Sequence, residues 1–453
     1  MKKFLLITLS LCAFVIISCS REKNVAEPSE PVVQVTEVSG NQSGTWSGII
    51  RLKGDVIVPD GASLTISAGT SVVADGYYGI TVLGNLYANG SNNARITFKV
   101  ADTTGYSNYD EHELGSWSGI YFQKAGTVTL NYCDFAYGKV PYGVDGGVMR
   151  AFMTNDIEIA NCRFYHNTTR RKGGAMYAES SSLYIHDCEV YENQAVACPP
   201  DYTWGVGFKF LKCNINMRDM LFHDNNSETA YGGGMNIDSC DMELKNAVFY
   251  NNHVVNAGGF GIQRCKGYTV KVANVLAYNN SVIHYGGGLA IATSDPELNN
   301  MTIVHNSCGG GGGGGMQTAF DAAPTLNNCI FWGNYGEYTF NTGDTLYLFG
   351  SQIYLWGSDC KPVFNNGLVQ FGFDSIFGHE YMSEDQYNLM LDSNPLFVDP
   401  EIHNYKLGAN SPCINTGTAD VSGLFIPSTD LSGASRIVNG RIDMGCYEWQ
   451  GNK

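Results

Sequence analysis

From Asn161 to Asn334 the chain repeats one short phrase: a bulky apolar residue, two variable residues, then asparagine. The phrase reads Phe164 to Asn167, Val190 to Asn193, Phe222 to Asn225, Phe249 to Asn252, Leu276 to Asn279, Ile303 to Asn306 and Phe331 to Asn334. The Asn-to-Asn steps are 26, 32, 27, 27, 27 and 28 residues. Shortly after each phrase comes a glycine cluster followed by an apolar residue, as in Gly173-Gly174-Ala175-Met176, Gly232-Gly233-Gly234-Met235, Gly258-Gly259-Phe260 and Gly286-Gly287-Gly288-Leu289. A period of this size, held so long, predicts a solenoid whose coils bury their apolar faces only against one another.

The coils are predicted to be built of strands. Helical apolar spacing is absent after residue 20, and short β-type runs such as Val56-Ile57-Val58, Ile80-Thr81-Val82, Ile96-Thr97-Phe98 and Ile120-Tyr121-Phe122 alternate with turns at Pro59-Asp60-Gly61 and Asn89-Gly90. Stacking then places like residues in columns about 4.8 Å apart. Phe164, Val190, Phe222, Phe249, Leu276, Ile303 and Phe331 form the bulky inward column. Three residues earlier runs a polar column, Asn161, Asp187, Asp219, Asn246, Asn300 and Asn328, with Ala273 as its exception. These residues and the closing asparagines are expected to hold turns, because Asn and Asp accept left-handed backbone and bond from coil to coil. Cys133, Cys162, Cys188 and Cys329 share one column and are expected to be buried free thiols. The disulfide candidates are Cys198 with Cys213, and Cys413 with Cys446.

The run Leu64-Thr65-Ile66-Ser67-Ala68-Gly69-Thr70-Ser71-Val72 resembles the opening segment of right-handed parallel β-helix proteins, as do Trp46-Ser47-Gly48-Ile49 and Trp117-Ser118-Gly119-Ile120. The fold class expected is therefore all-β, a single-stranded right-handed parallel β-helix. Leucine-rich repeats share the period but need several leucines per unit, which are missing here. The repeat over roughly 160–335 resembles that of the chlamydial polymorphic outer membrane proteins, without their C-terminal membrane barrel. Asn394-Pro395-Leu396-Phe397-Val398-Asp399-Pro400 and Arg441 to Glu448 resemble the terminal segment of secreted bacterial β-helix proteins. That resemblance implies a segment that closes the last coils, with Asp399, Asp443 and Glu448 in structural roles. The expected organisation is a signal at 1–19, a flexible tether at 20–44, a cap and first coils at 45–130, regular repeats at 131–335, and irregular coils with a closing segment at 336–453.

Met1-Lys2-Lys3 followed by the apolar run Phe4 to Ile17 has the form of a secretory signal, too short for a spanning helix. It ends in Ile16-Ile17-Ser18-Cys19, which resembles the lipobox of bacterial lipoproteins. The resemblance implies lipid attachment at Cys19, and anchoring to a membrane by acyl chains. An outer-membrane lipoprotein, periplasmic or surface-exposed, is the location expected. The formal net charge of −16 argues against nucleic acid as a partner.

One outward face of the early coils is the candidate ligand surface: Arg163, Tyr165, His166, Glu189, Tyr191, Glu192 and Asp224. Aromatic rings beside charges suit sugars. The function expected is a binding or adhesion scaffold, with a polysaccharide or a surface protein as partner. The alternative is a polysaccharide lyase or glycoside hydrolase resembling the pectate lyase and polygalacturonase type, since Glu192 and Asp224 on adjacent coils fall about 5 Å apart, as a retaining pair does. No catalytic motif of either type is found, so no catalytic residue is assigned. Gly309 to Gly315 lack the Lys-Ser/Thr and helix of a phosphate loop. No metal or other cofactor is expected; the weak exception is calcium in the loop carrying Asp102, Asp110, Glu111 and Glu113, which lacks ligand spacing.

Overall fold

The computed structural model describes residues 34–196, 203–310, 312–339, 345–349 and 352–451. Cys19 and Cys198 lie outside these residues. The tether expected over 20–44 stops short of Val35, because Val35–Asn41 is a strand paired in parallel with Ile49–Val58.

The coil from Met235 shows the plan. Met235–Asp238 leads through a turn into Asp241–Tyr250, which bends halfway, and then into the short strand His253–Asn256. Ser239, Asn246 and Asn251 turn the corners with φ of 54°, 55° and 53°. Strands of successive coils pair in parallel, and Thr345–Phe349 adds to Tyr335–Thr339 in the antiparallel sense. Among the described residues 33 strands join in one wound sheet, and the short strands from Thr203–Trp204 to Thr345–Phe349 form a seven-stranded sheet of their own. The molecule is a right-handed parallel β-helix.

Inward residues fill the interior as one continuous core. Phe98, Phe135 and Phe164 stack at 4.9 and 5.0 Å, and Phe222 lies on Phe249 at 4.9 Å with planes 2° apart. Burying each such ring contributes on the order of 2–3 kcal/mol. The glycine clusters mark where successive turns come closest. A Cβ at Gly233 would lie 2.2 Å from the Gly258 carbonyl oxygen, and one at Gly258 would lie 2.2 Å from that of Gly287.

The closing asparagines form a buried ladder. Each donates its amide N–H to the carboxamide oxygen of the next, from Asn167 to Asn193 at 3.0 Å through Asn306 to Asn334 at 2.9 Å, and Gln352 extends the run at 2.7 Å. The same oxygens accept the backbone N–H of the preceding asparagine, as Asn252 does from Asn225. In a buried corner this pairing satisfies donors that would otherwise be orphaned.

Register corrects the expected columns at one coil. Phe249 lies beside Ala277, and Ala277 beside Ile303, so Ala277 and not Leu276 is the inward residue. Asn280 stands in the ladder in place of Asn279, and Asn274, with φ of 55°, turns the corner expected at Ala273. Cys133, Cys162, Cys188 and Cys329 are buried and unpaired. Cys213 belongs to a second thiol column, its backbone N–H lying 3.2 Å from Cys240 Sγ. The Cys413–Cys446 disulfide does not form; both thiols are buried and free.

The C-terminal segment departs from the expected closing role. It runs along the flank of the later coils, over their outward Leu276, Val304 and Ile330. Asn274 Nδ2 donates to the Thr429 carbonyl at 2.7 Å, Cys446 N–H to Thr302 Oγ1 at 3.0 Å, and Thr418 N–H to Asn328 Oδ1 at 2.7 Å. Asp443 accepts the backbone N–H groups of Asn415 and Trp449, and Glu448 those of Val438 and Asp443. The Asp399 side chain makes no cap at the turn it precedes. Among the described residues no helix is long and apolar enough to cross a membrane.

Candidate functional site

All seven residues of the expected ligand face come together. They occupy the second half of the bent strand of each early coil and the corner after it. Arg163 pairs across strands with Glu189 at 3.4 Å, and His166 faces Glu192 at 3.3 Å. His223, which lies in register with Tyr191, bridges Asp224 at 2.7 Å and Glu189 at 3.3 Å. The rings form an external stack: Tyr165 on Tyr191 at 5.2 Å, Tyr191 on His223 at 5.1 Å, His223 on Tyr250 at 4.7 Å and Tyr250 on Tyr278 at 5.1 Å. Each interior ring of this stack spends both faces on its neighbours. What it offers outward is edges, hydroxyls and exposed ion pairs, which are individually weak.

The loop considered for calcium is organised differently. Lys139 is 1% exposed, and its ammonium donates to the carbonyls of Tyr106, Asn108, Glu111 and Leu114 at 2.9–3.2 Å. The carbonyls a cation would use therefore already face an internal one. The acidic side chains scatter: Asp102 caps the Thr104 N–H, Asp110 pairs with Arg170, and Glu111 accepts from Asn108. Among the described residues no three acidic, histidine or cysteine side chains gather to hold a metal.

A partly enclosed concavity lies elsewhere, on the strand that follows each glycine cluster. Its floor is the outward face of Met235–Asp238, Phe260–Gln263, Leu289–Ala292 and Met316–Ala319. There the outward residues run Asn236, Gly261, Ala290 and Gln317, brought side by side by the register. The small pair in the middle opens a cavity of about 320 Å³. Its walls carry Trp204 and Tyr231 at one end and Tyr285, Phe320 and Trp356 at the other, with Asn256 in the coil between. This volume is at the small end of ligand sites.

Behind the polar end of the cleft sits a buried charge network. Lys209 and Asp238 are each 2% exposed, with 3.6 Å between ammonium and carboxylate. Lys209 donates to Asn236 Oδ1 at 2.5 Å, and Arg264 forks onto Asp238 from solvent. Burial pulls the Lys209 pKa down to about 8; burial raises that of Asp238, but Arg264 and Lys209 together hold it below the usual range. This site was not found from sequence. Its signal was the outward column Tyr177, Lys209, Asn236, Gly261, Ala290, Gln317, where charged, amide and small residues succeed one another.

A family model described as right handed beta helix region matches residues 84–277. With the coil geometry it defines the class, a right-handed parallel β-helix repeat protein. No curated protein matches the chain. Among solved structures the crystal structure of pectate lyase Pel9A is similar at 12% identity, over 84% of this chain and 88% of that one, with a TM-score of 0.32.

Proposed function

We propose that this protein is a glycan-binding β-helical scaffold of the bacterial cell envelope, held to the outer membrane through lipid on Cys19. The observation that carries the binding reading is the cleft. Aromatic walls offer flat apolar surface to the C–H faces of sugar rings, while amides on the floor meet hydroxyls. An elongated solenoid suits an elongated ligand, since each coil repeats the same outward geometry one step further along.

The test is a panel of acidic and neutral polysaccharides, with and without calcium, read for both retention and chain cleavage. Retention without cleavage, weakened at least tenfold in Trp204→Ala and Trp356→Ala, is the expected result. Chain cleavage by wild type would replace the scaffold by a lyase or hydrolase. Membrane retention should disappear in Cys19→Ser; its persistence would remove the anchor from the reading.

A further inference from the structure

The cleft's hydrogen-bonding groups are fixed in direction, and that direction identifies its ligand further. Asn236 Oδ1 is occupied twice, by the Lys209 ammonium at 2.5 Å and by Gln263 Nε2 at 3.2 Å. Its carboxamide cannot turn without setting N–H groups against an ammonium, so Nδ2 points the other way. It lies over Gly261, where a Cβ would approach it to 2.5 Å. Gln263 is fixed in the opposite sense. Its Nε2 donates to both Asn236 Oδ1 and Asp238 Oδ2 at 3.2 Å, which leaves Oε1 as the exposed end. The third amide on the floor, Gln317, is 8% exposed, and among the described residues its side chain has no hydrogen bond. The cleft thus presents a donor and an acceptor of set polarity beside an amide able to serve as either.

The surface so presented is uncharged. Among the described residues no lysine, arginine or carboxylate lines the cavity, and His284 stands at its exposed rim. The buried charges behind it answer one another: Lys209 faces Asp238, and the Arg264 side chain is 63% exposed to water. A carboxylate carried into this space would lose its hydration and meet only neutral dipoles, which is unfavourable. The chain's net charge of −16 opposes a polyanion further. Neighbouring hydroxyls on a ring, each both donor and acceptor, match a fixed N–H beside a fixed C=O.

We infer that the cleft over Gly261 and Ala290 binds a ring of a neutral sugar, its hydroxyls held by Asn236, Gln263 and Gln317, and that uronates and sulfated glycans are excluded. This rests on the glycan-binding reading and narrows it. The role of Lys209 and Asp238 is positioning: they set the direction of the amides without touching the ligand.

The experiment compares neutral polysaccharides (xylan, mannan, β-glucan) with polygalacturonate and alginate by affinity electrophoresis, for wild type and two variants. Asn236→Asp keeps the acceptor facing Lys209, replaces the N–H donors by a carboxylate oxygen, and should lower neutral-glycan affinity at least tenfold. Lys209→Met frees the Asn236 amide and should lower it severalfold, with thermal unfolding checked for both variants. Binding of the polyuronates as tight as that of any neutral chain would overturn the inference and leave glycan binding standing. Neutral-glycan affinity unchanged in a folded Asn236→Asp protein would overturn it too. Failure to bind any glycan would overturn the function proposed above, and this inference with it.

Discussion

Asn252 accepts two hydrogen bonds from Asn225 on one carboxamide oxygen, the side-chain N–H at 2.9 Å and the backbone N–H at 3.2 Å, with both residues wholly buried. Removing that oxygen orphans both donors, at about 1–3 kcal/mol each. Asn252→Ala should therefore cost about 2–6 kcal/mol in urea unfolding. A loss under about 1 kcal/mol would show that the ladder accompanies the coil without holding it.

The external ring stack and the cleft should separate by mutation. Tyr191 touches Tyr165 and His223, at 5.2 and 5.1 Å, and each such contact is worth about 0.5–1.5 kcal/mol. Tyr191→Ala is expected to lower stability by about 1–3 kcal/mol and leave glycan affinity where it was. A large loss of affinity at unchanged stability would move the ligand to the Arg163–Asp224 face.

The tail should weaken as pH rises across the weakly acidic range. Burial pushes the Glu448 pKa up to about 7 from a normal 4.5. Between those values the folded chain holds a proton that the unfolded chain has released, so stability falls with rising pH. The contribution is fully favourable below pH 4.5 and spent above pH 7. Thermal unfolding from pH 4 to 8 should show this slope in wild type and lose part of it in Glu448→Gln; identical slopes would count against a proton on Glu448.

Thiol labelling tests the cysteine columns. Burial raises the pKa of Cys329, Cys413 and Cys446 to about 12, which suppresses the reactive thiolate. After iodoacetamide treatment, peptide mapping should find these three unmodified in the native protein and fully modified in guanidinium. Modification of Cys413 or Cys446 under native conditions would mean that the tail lifts from the coils.

Lys139→Met leaves four carbonyls without their shared donor. Limited proteolysis should then cut within 102–115 at least tenfold faster than in wild type. Equal rates would show that the loop is held by its own turns.

The architecture was legible because a solenoid writes each layer of its core into the sequence at a fixed interval. One misreading is instructive. From Val270 to Tyr278 the strand is apolar on nearly every residue, so the pattern picked the bulkier Leu276, while the corner at Asn274 turned Ala277 inward. Leu276 faces out because the tail covers it, a contact between residues far apart in the chain. The cleft was illegible for a related reason. Its walls come from Trp204 to Trp356, and the direction of the Asn236 amide is decided by Lys209 one coil earlier. The phrase that announces the repeat lies on a different strand altogether.

The flanking tail also constrains how such a protein can change in length. Its bonds to Asn274, Asn299, Asn300, Thr302 and Asn328 tie fixed points of one segment to fixed coils of the helix. Between those coils, gaining or losing one would shift the attachments on either side by about 4.8 Å relative to each other. Upstream of them the segment reaches Lys245 and Val248 by packing, with the Lys245 ammonium 4.5 Å from the Phe425 ring, and before those coils the helix can lengthen or shorten by whole turns. The segment works as a ruler, and growth by coil duplication should be confined to the coils before it.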